Sequence, residues 1–361
     1  MLPVSMLQRR LAIQRLAGPP FESPVAAVNS LVAVQSQEYA DAKLSLSLRS
    51  GGAADSEIEE ALSDGRILRT HVMRPTWHFV SPEDIRLLLD LTGPRLIRGG
   101  RPYFRRVGLD DAILARANDL IAGALAGGNY LTRQELKGVL LEGGIQVEGT
   151  QMLAHIMGHA EYDGLVCSGP RRGKQFTYAL LDERAPNAHR LPREEALVEL
   201  ARRYFNSRGP ADEYDFSWWS GLTVTDARRG LEAVRDELQP EVVDGRTYWS
   251  PDATPDFGEP SPAVYLLSVF DEFFSAYKGW GSMVRDEDMH RPIVRGNATQ
   301  YVLVIDGVVA GTGRKLGARK NDIRLEVEPF RPLSRAERDG LERAVERYGE
   351  YMGAPVTIAE A

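Results

Sequence analysis

The alternation of apolar and polar positions repeats one theme three times: two or three amphipathic helices, then a β-hairpin closed by a tight turn. The middle copy, from Leu131 to Leu180, is the clearest. Thr132 and Glu135 form a capping box that opens a helix carrying Leu136, Val139 and Leu140. After the Gly143-Gly144 turn, Met152, Leu153, Ile156, Met157 and Ala160 make one apolar stripe at the helical period. Gly164 ends that helix. An apolar strand, the turn SGPRRGK and an alternating strand from Gln175 to Leu180 follow.

The third copy begins at Pro192, with Leu197, Leu200, Ala201, Tyr204 and Phe205 marking its first helix. PADEYDFSWWSGLT predicts a short second helix. A third follows Thr223, carrying Ala227, Leu231, Val234 and Leu238 on one face. EVVDGRTYWS reads as a hairpin, because Asp244-Gly245 suits a two-residue turn. The first copy is looser. Its pattern predicts helices at Ser5–Ala17, Val25–Val34 and Ser56–Leu62, then the hairpin ILRTHVMRPTWHFV. Ser81 is expected to cap a further helix with Pro82 at its first position. Beyond about Pro260, VYLLSVFDEFFSAYKG reads as helix-like. Strands are expected around Gln300–Ile305, Val308–Gly311 and Ile323–Val327, with Asp306-Gly307 joining the first two. A last helix over Ser334–Tyr351 opens with the box Ser334…Glu337.

Helices followed by a basic two-stranded flap are the pattern of a winged helix. The expected fold is therefore α+β: a mostly helical tandem of three winged helix-turn-helix repeats with a small C-terminal β-rich, barrel-like domain. The expected boundaries are 1–110, 111–190, 191–255 and 256–361. Variable spacing between the copies argues against a solenoid.

Composition narrows the classes. At 43% hydrophobic, the 361 residues can bury substantial cores. No apolar run reaches the roughly 18–20 residues of a membrane span. MLPVSMLQRRLAIQRLAG lacks the apolar core of a secretory signal. The single Cys167 cannot form an intrachain disulfide, and together these features predict a cytoplasmic location. The net charge of −7 runs against a generic nucleic-acid binder, but cations are segregated. PRLIRGGRPYFRR holds five arginines and no acid. Arg171, Arg172 and Lys174 crowd one turn; Arg314, Lys315, Arg319 and Lys320 crowd another. That distribution predicts one DNA-facing side, with those seven residues on phosphates.

Candidate chemistry is sparse. His155 and His159 have a metal-compatible spacing, but Ile156 stands where a zincin needs Glu. No phosphate loop, dinucleotide fingerprint or nucleophile elbow is present. Neither a metal nor a cofactor is expected. Cys167 on its apolar strand reads as a buried thiol, and Asp271-Glu272 as a helix cap or interdomain contact rather than a catalytic acid pair. Gln35-Ser36-Gln37 is subtler. In an extended segment both amides project from one face, and a pair of amides can hold one water in a fixed orientation. Spacing alone leaves a structural role open. On the first hairpin, His71, Arg74 and His78 either decorate a surface flap or contact phosphates or an opened base.

Together, AVQSQEY, RTHVMRPTWHFV, FSWWSGLT, FDEFFSAYKG and VLVIDGVVAGTGRK, in this order over nearly the whole chain, resemble the AlkZ-type DNA glycosylases, a bacterial family of winged-helix DNA-binding proteins. The resemblance implies hydrolysis of the N-glycosidic bond of alkylated purines, including bulky adducts and interstrand crosslinks. It maps the family's Gln-x-Gln motif onto Gln35 and Gln37. Two positions depart: Ser36 replaces a usually apolar residue, and Gly313 replaces a Trp common in the C-terminal hairpin. The reading is a monomeric, monofunctional glycosylase for N7-alkylated purines in double-stranded DNA, serving repair or self-resistance. The alternative is a non-catalytic winged-helix transcriptional regulator.

Overall fold

The computed structural model describes residues 1–253, 255, 257, 262–291, 300–319 and 322–359, the side chains of 317–319 and 322 excepted. Lys320 and the side chain of Arg319 therefore lie outside the described residues.

A leading helix, α1 (Val4–Ile13), is shorter than the pattern suggested, because Arg15 turns the chain at φ +56°. Then comes α2 (Pro24–Leu31), capped by Ser23, whose Oγ accepts the Ala26 N–H. The apolar run does not continue as helix. It becomes the strand β1 (Ala33–Gln35), followed by α3 (Tyr39–Arg49), α4 (Asp55–Ser63) and the hairpin β2 (Leu68–His71) with β3 (Trp77–Val80). These strands order as β1-β3-β2. Nothing in the pattern marks α3 as a helix. LSLSL alternates like a strand, and α3 is buried on nearly every side, so no polar face remains to show the helical period.

A long helix, α5 (Ile85–Arg106), leads away. The Ser81 Oγ does accept an N–H, from Asp84, but this closes a turn ahead of the helix and Pro82 lies in that turn. Next are α6 (Asp111–Leu125), β4 (Leu131–Thr132), α7 (Arg133–Glu142), α8 (Gly149–Tyr162), β5 (Val166–Ser168) and β6 (Thr177–Leu180), with sheet order β4-β6-β5. The Thr132–Glu135 capping box is present. After the short α9 (Leu181–Arg184) come α10 (Arg193–Arg208), α11 (Glu213–Ser220), α12 (Val224–Val234) and the hairpin β7 (Leu238–Val243) with β8 (Arg246–Pro251). Here Ala211 alone bridges to Trp249. Three times, then, a helix, a short extended segment, two helices and a hairpin follow in order. Each time the short segment pairs with the hairpin's second strand.

The last unit holds β9 (Val264–Ser268), α13 (Glu272–Ser275), β10 (Tyr301–Ile305), β11 (Val308–Arg319), β12 (Asp322–Pro329), α14 (Arg335–Met352) and β13 (Val356–Ala359). VYLLS is a strand, not a helix. All five residues are buried, so periodicity could not separate the two. Among the described residues the sheet is open, ordered β13-β12-β11-β10-β9, rather than barrel-like. Its parallel β12–β13 pair requires a crossover, and α14 supplies it while covering one face. At Gly340 of α14, a Cβ would stand 2.5 Å from Val264, so the helix can approach β9 this closely only without a side chain.

The second unit has its own core around Leu136, Ile156 and Tyr178. The first hairpin, α1, the third unit and part of the last share one continuous core. Among the described residues no helix is long and apolar enough to cross a membrane.

Candidate active site

The Gln-x-Gln segment lies where β1 leaves that shared core. Val32, just before the strand, is fully buried at φ +65°, ψ −49°, a strained conformation for a β-branched residue. β1 pairs antiparallel with β3, Gln35 opposite His78, and the Ser36 N–H continues the ladder to Trp77 O at 2.7 Å. Gln35 is buried and Gln37 is exposed. The two glutamines therefore differ in exposure, one held in the fold and one open to solvent. Ser36 between them is fully buried, and its Oγ finds no hydrogen-bond partner among the described residues. An apolar residue would suit that environment.

The first hairpin supplies the walls. Arg74, at its tip, approaches the Gln35 Oε1 with Nη2 at 3.5 Å. Its guanidinium also sits 5.7 Å from the ring of Trp218, which is 48% exposed on α11. The tip is seated by close packing: Met73 has φ +63°, and a Cβ on Gly221 would lie only 2.0 Å from the Met73 O. His71 is engaged from behind. Its Nδ1 is 2.5 Å from Glu161 Oε2 on α8, and its ring lies 4.1 Å from that of Trp77, whose Nε1 donates to the same carboxylate. His78 corrects the expectation of a DNA contact. It is fully buried, with Nδ1 3.0 Å from Thr76 O. Burial first, then the charge of Arg74, drives its pKa well below the usual range. Fully buried, it presents no surface to a phosphate.

Arg69 was not singled out by the sequence, although it shares a strand face with His71. It donates to Ser36 O at 2.8 Å and lies 4.4 Å from the Trp77 ring and 4.8 Å from that of Phe176. With Tyr39, Glu59 and Arg171 it lines a cleft between the first unit and the second unit's hairpin. Burial lowers its pKa to about 10. Asp271 and Glu272 serve as cap and interdomain contact. Asp271 accepts the Phe273 N–H at 2.8 Å and pairs with Arg49 of the first unit; Glu272 reaches β1.

The basic tips are unequal. Arg171 pairs with Glu59 at 2.6 Å and Arg172 with Glu135 at 2.7 Å, whereas Lys174 stands exposed. Arg314 pairs with Glu326, and Lys315 is half-buried. On α5, Arg95, Arg98, Arg101 and Arg105 form an exposed stripe at helical spacing. Among the described residues no group of three or more His, Cys, Asp or Glu could hold a metal. His155 lies 4.9 Å from the Tyr103 ring, and burial lowers the pKa of both His155 and His159. Cys167 is fully buried and its thiol is pushed up to about 12.

Comparison with known proteins matches the model of the family "DNA glycosylase AlkZ-like" over residues 28–351. A curated relative, the interstrand DNA cross-link repair glycosylase of Streptomyces sahachiroi, is 26% identical over 337 residues, covering 88% of each chain. The solved structure of Streptomyces sahachiroi DNA glycosylase AlkZ shares the fold, with a TM-score of 0.79 at 22% identity. That match covers 99% of this chain and 100% of the other.

Proposed function

The chain belongs to the AlkZ-like DNA glycosylase family, and from that premise we propose that it hydrolyses the N-glycosidic bond of N7-alkylated purines in duplex DNA, with Gln35 and Gln37 orienting the water. One observation carries the reading. The Gln-x-Gln segment runs from a buried, hydrogen-bonded strand end to an exposed residue, with Arg74 near the Gln35 amide and Trp218 near Arg74.

The chemistry fits amides. Alkylation at ring nitrogen seven makes the purine cationic, so it departs without being protonated. The transition state is oxocarbenium-like at the sugar. Two glutamine carbonyls can orient water and offer dipoles to the growing positive charge. His78 is fully buried and so out of reach as a proton donor, in keeping with a leaving group that needs none. Amides are weak bases, so neutral purines are spared. Selectivity then follows from modest catalysis rather than from a pocket shaped to one adduct.

The three repeated units read as winged helices that wrap DNA, followed by a C-terminal α+β unit, divided near residues 110, 190 and 255. Lys174 and, on α5, Arg95 and Arg98 are the exposed cations best placed to meet phosphates, since Arg101 and Arg105 lie within ion-pair reach of Asp111. The relative's name extends the proposal to interstrand crosslinks. A tethered crosslink cannot be flipped out readily, so a wrapping scaffold suits it. The enzyme would act as a cytoplasmic monomer in repair or self-resistance.

The test is purified protein on a duplex carrying 7-methylguanine. Wild type should release free base. The double variant Gln35→Ala, Gln37→Ala should not, while keeping its fold and its DNA affinity. Equal release by the two proteins would remove the glutamines from the reaction.

A further inference from the structure

Among the described residues, β1 has a neighbour in its sheet on one side only, β3. The backbone groups on its other edge, the Ala33 C=O and the Gln35 N–H, must find partners elsewhere. Both are met by side chains distant in sequence. Arg208, at the end of α10, donates from Nη2 to Ala33 O at 2.8 Å. Glu272, opening α13, accepts the Gln35 N–H on Oε1 at 2.8 Å. The two are themselves paired, Arg208 Nη2 to Glu272 Oε2 at 2.7 Å, and both side chains are 0% exposed. Trp219 Nε1 adds a bond to Oε2 at 3.3 Å and the Ser275 Oγ one to Oε1 at 3.1 Å. The Trp219 ring lies 4.3 Å from the Arg208 guanidinium.

This pattern reproduces a backbone one. In a parallel sheet, one residue of the neighbouring strand donates to a C=O and accepts the N–H two residues further along. The ion pair does the same with a guanidinium and a carboxylate. Covering an edge would not require charges, and burying two of them is costly unless their geometry matters. The strained Val32 stands immediately before the gripped segment. Such strain persists only where surrounding contacts over-determine the backbone.

We propose that the Arg208–Glu272 pair is a positioning clamp for Gln35. It substitutes for a missing strand and fixes the backbone from which the Gln35 amide is aimed. Neither residue touches substrate; both are positioning residues. The third unit supplies one jaw and the C-terminal unit the other, so the reactive strand of the first unit is aligned only when all three are assembled. The inference rests on the reading of Gln35 given above.

The test uses the full chain and the 7-methylguanine duplex. Glu272→Gln replaces one carboxylate oxygen by an NH₂, which must face either the Gln35 and Ser275 donors or the Arg208 and Trp219 donors. Single-turnover base release should fall about 10- to 100-fold, the cost of a small misalignment. DNA affinity should stay within about twofold, as expected for a site apart from the phosphate contacts. Hydrogen exchange at the Gln35 amide should accelerate. In a Gln35→Ala background the same substitution should reduce the rate no further, because the group it aims is gone. Arg208→Lys keeps the charge but not the planar Nη2 group that divides its two hydrogens between Ala33 O and Glu272 Oε2; it should show a smaller version of the same pattern and serves if Glu272→Gln does not fold. An unchanged rate, or a loss of equal size with and without Gln35→Ala in the background, overturns the clamp. Full release by Gln35→Ala alone overturns instead the reading of Gln35, while exchange at the Gln35 amide in the wild-type background still reports whether the pair grips the strand.

Discussion

Replacing Asp271 by Ala would strand a cation in the core. Arg49 donates to it twice, Nη2 to Oδ1 at 2.6 Å and Nη1 to Oδ2 at 2.9 Å, with side-chain exposures of 0% and 1%. Ser45 Oγ donates to the same carboxylate at 2.7 Å, and Asp271 caps α13. In the variant Arg49 keeps only the Ser45 oxygens and Gln14 Oε1. Breaking one side of a buried pair costs about 3–5 kcal/mol, and losing a cap adds about 1 kcal/mol. A 361-residue chain unfolding as one unit gains roughly 0.8 kcal/mol/K of entropy near its midpoint. The expected fall in Tm is therefore about 5–8 °C. The neutral double variant Arg49→Met, Asp271→Asn keeps a capping oxygen and leaves no stranded charge. It should recover roughly half of the loss, about 2–3 kcal/mol. Differential scanning calorimetry of wild type, Asp271→Ala, Asp271→Asn, Arg49→Met and the double variant measures both the loss and the recovery, the last three with wild type closing the cycle around Asp271→Asn. A shift below about 2 °C for Asp271→Ala would refute the reasoning, since the estimate requires more than twice that. So would a double variant less stable than either single one.

Two further outcomes are expected. Asp41 is half-buried; burial, then the charge of Glu38, raises its pKa against the lowering effects of Ser268 and Lys315. The folded form thus holds its proton to a higher pH than the unfolded chain, and the stability this contributes is lost as pH rises through the folded pKa. Asp41→Asn, still able to accept from Ser268, should therefore gain in Tm over wild type as pH climbs above the ordinary carboxylate value; a difference that ignores pH would show that Asp41 does not titrate this way. For DNA, Lys174→Ala should weaken binding on any sequence and flatten the log–log salt dependence by about 0.9, one counterion's worth. Arg172→Ala, whose guanidinium is already held by Glu135, should change that slope less, and anisotropy titrations between about 50 and about 200 mM salt would separate the two.

Much of the architecture was legible because it is local. Asp244-Gly245 and Asp306-Gly307 both take positive φ in their hairpin turns, as their composition demands. Thr132 and Ser334 open their helices with capping boxes. The segments that misread share a cause. Tyr39–Arg49 and Val264–Ser268 are buried on nearly every side, so no polar period survives to tell helix from strand. In the candidate site, Gln35, Gln37 and Arg74 could be picked out as a motif and a hairpin tip. That His78 is sealed beneath them, and that Arg69 holds Ser36, could not, because burial and ring stacking depend on what the rest of the chain lays against the hairpin.

The sequence by itself determined the order of helices and hairpins, the turn and cap chemistry, and the run of segments over which the family model matches. These rest on hydrogen bonds and steric limits among residues a few positions apart. Only the tertiary structure decided which charges meet without water. Arg49 finds Asp271 across 222 positions, and Arg208 finds Glu272 across 64. Desolvation makes such pairings costly to leave unmade, and it is a property of the assembled core, not of any stretch of chain.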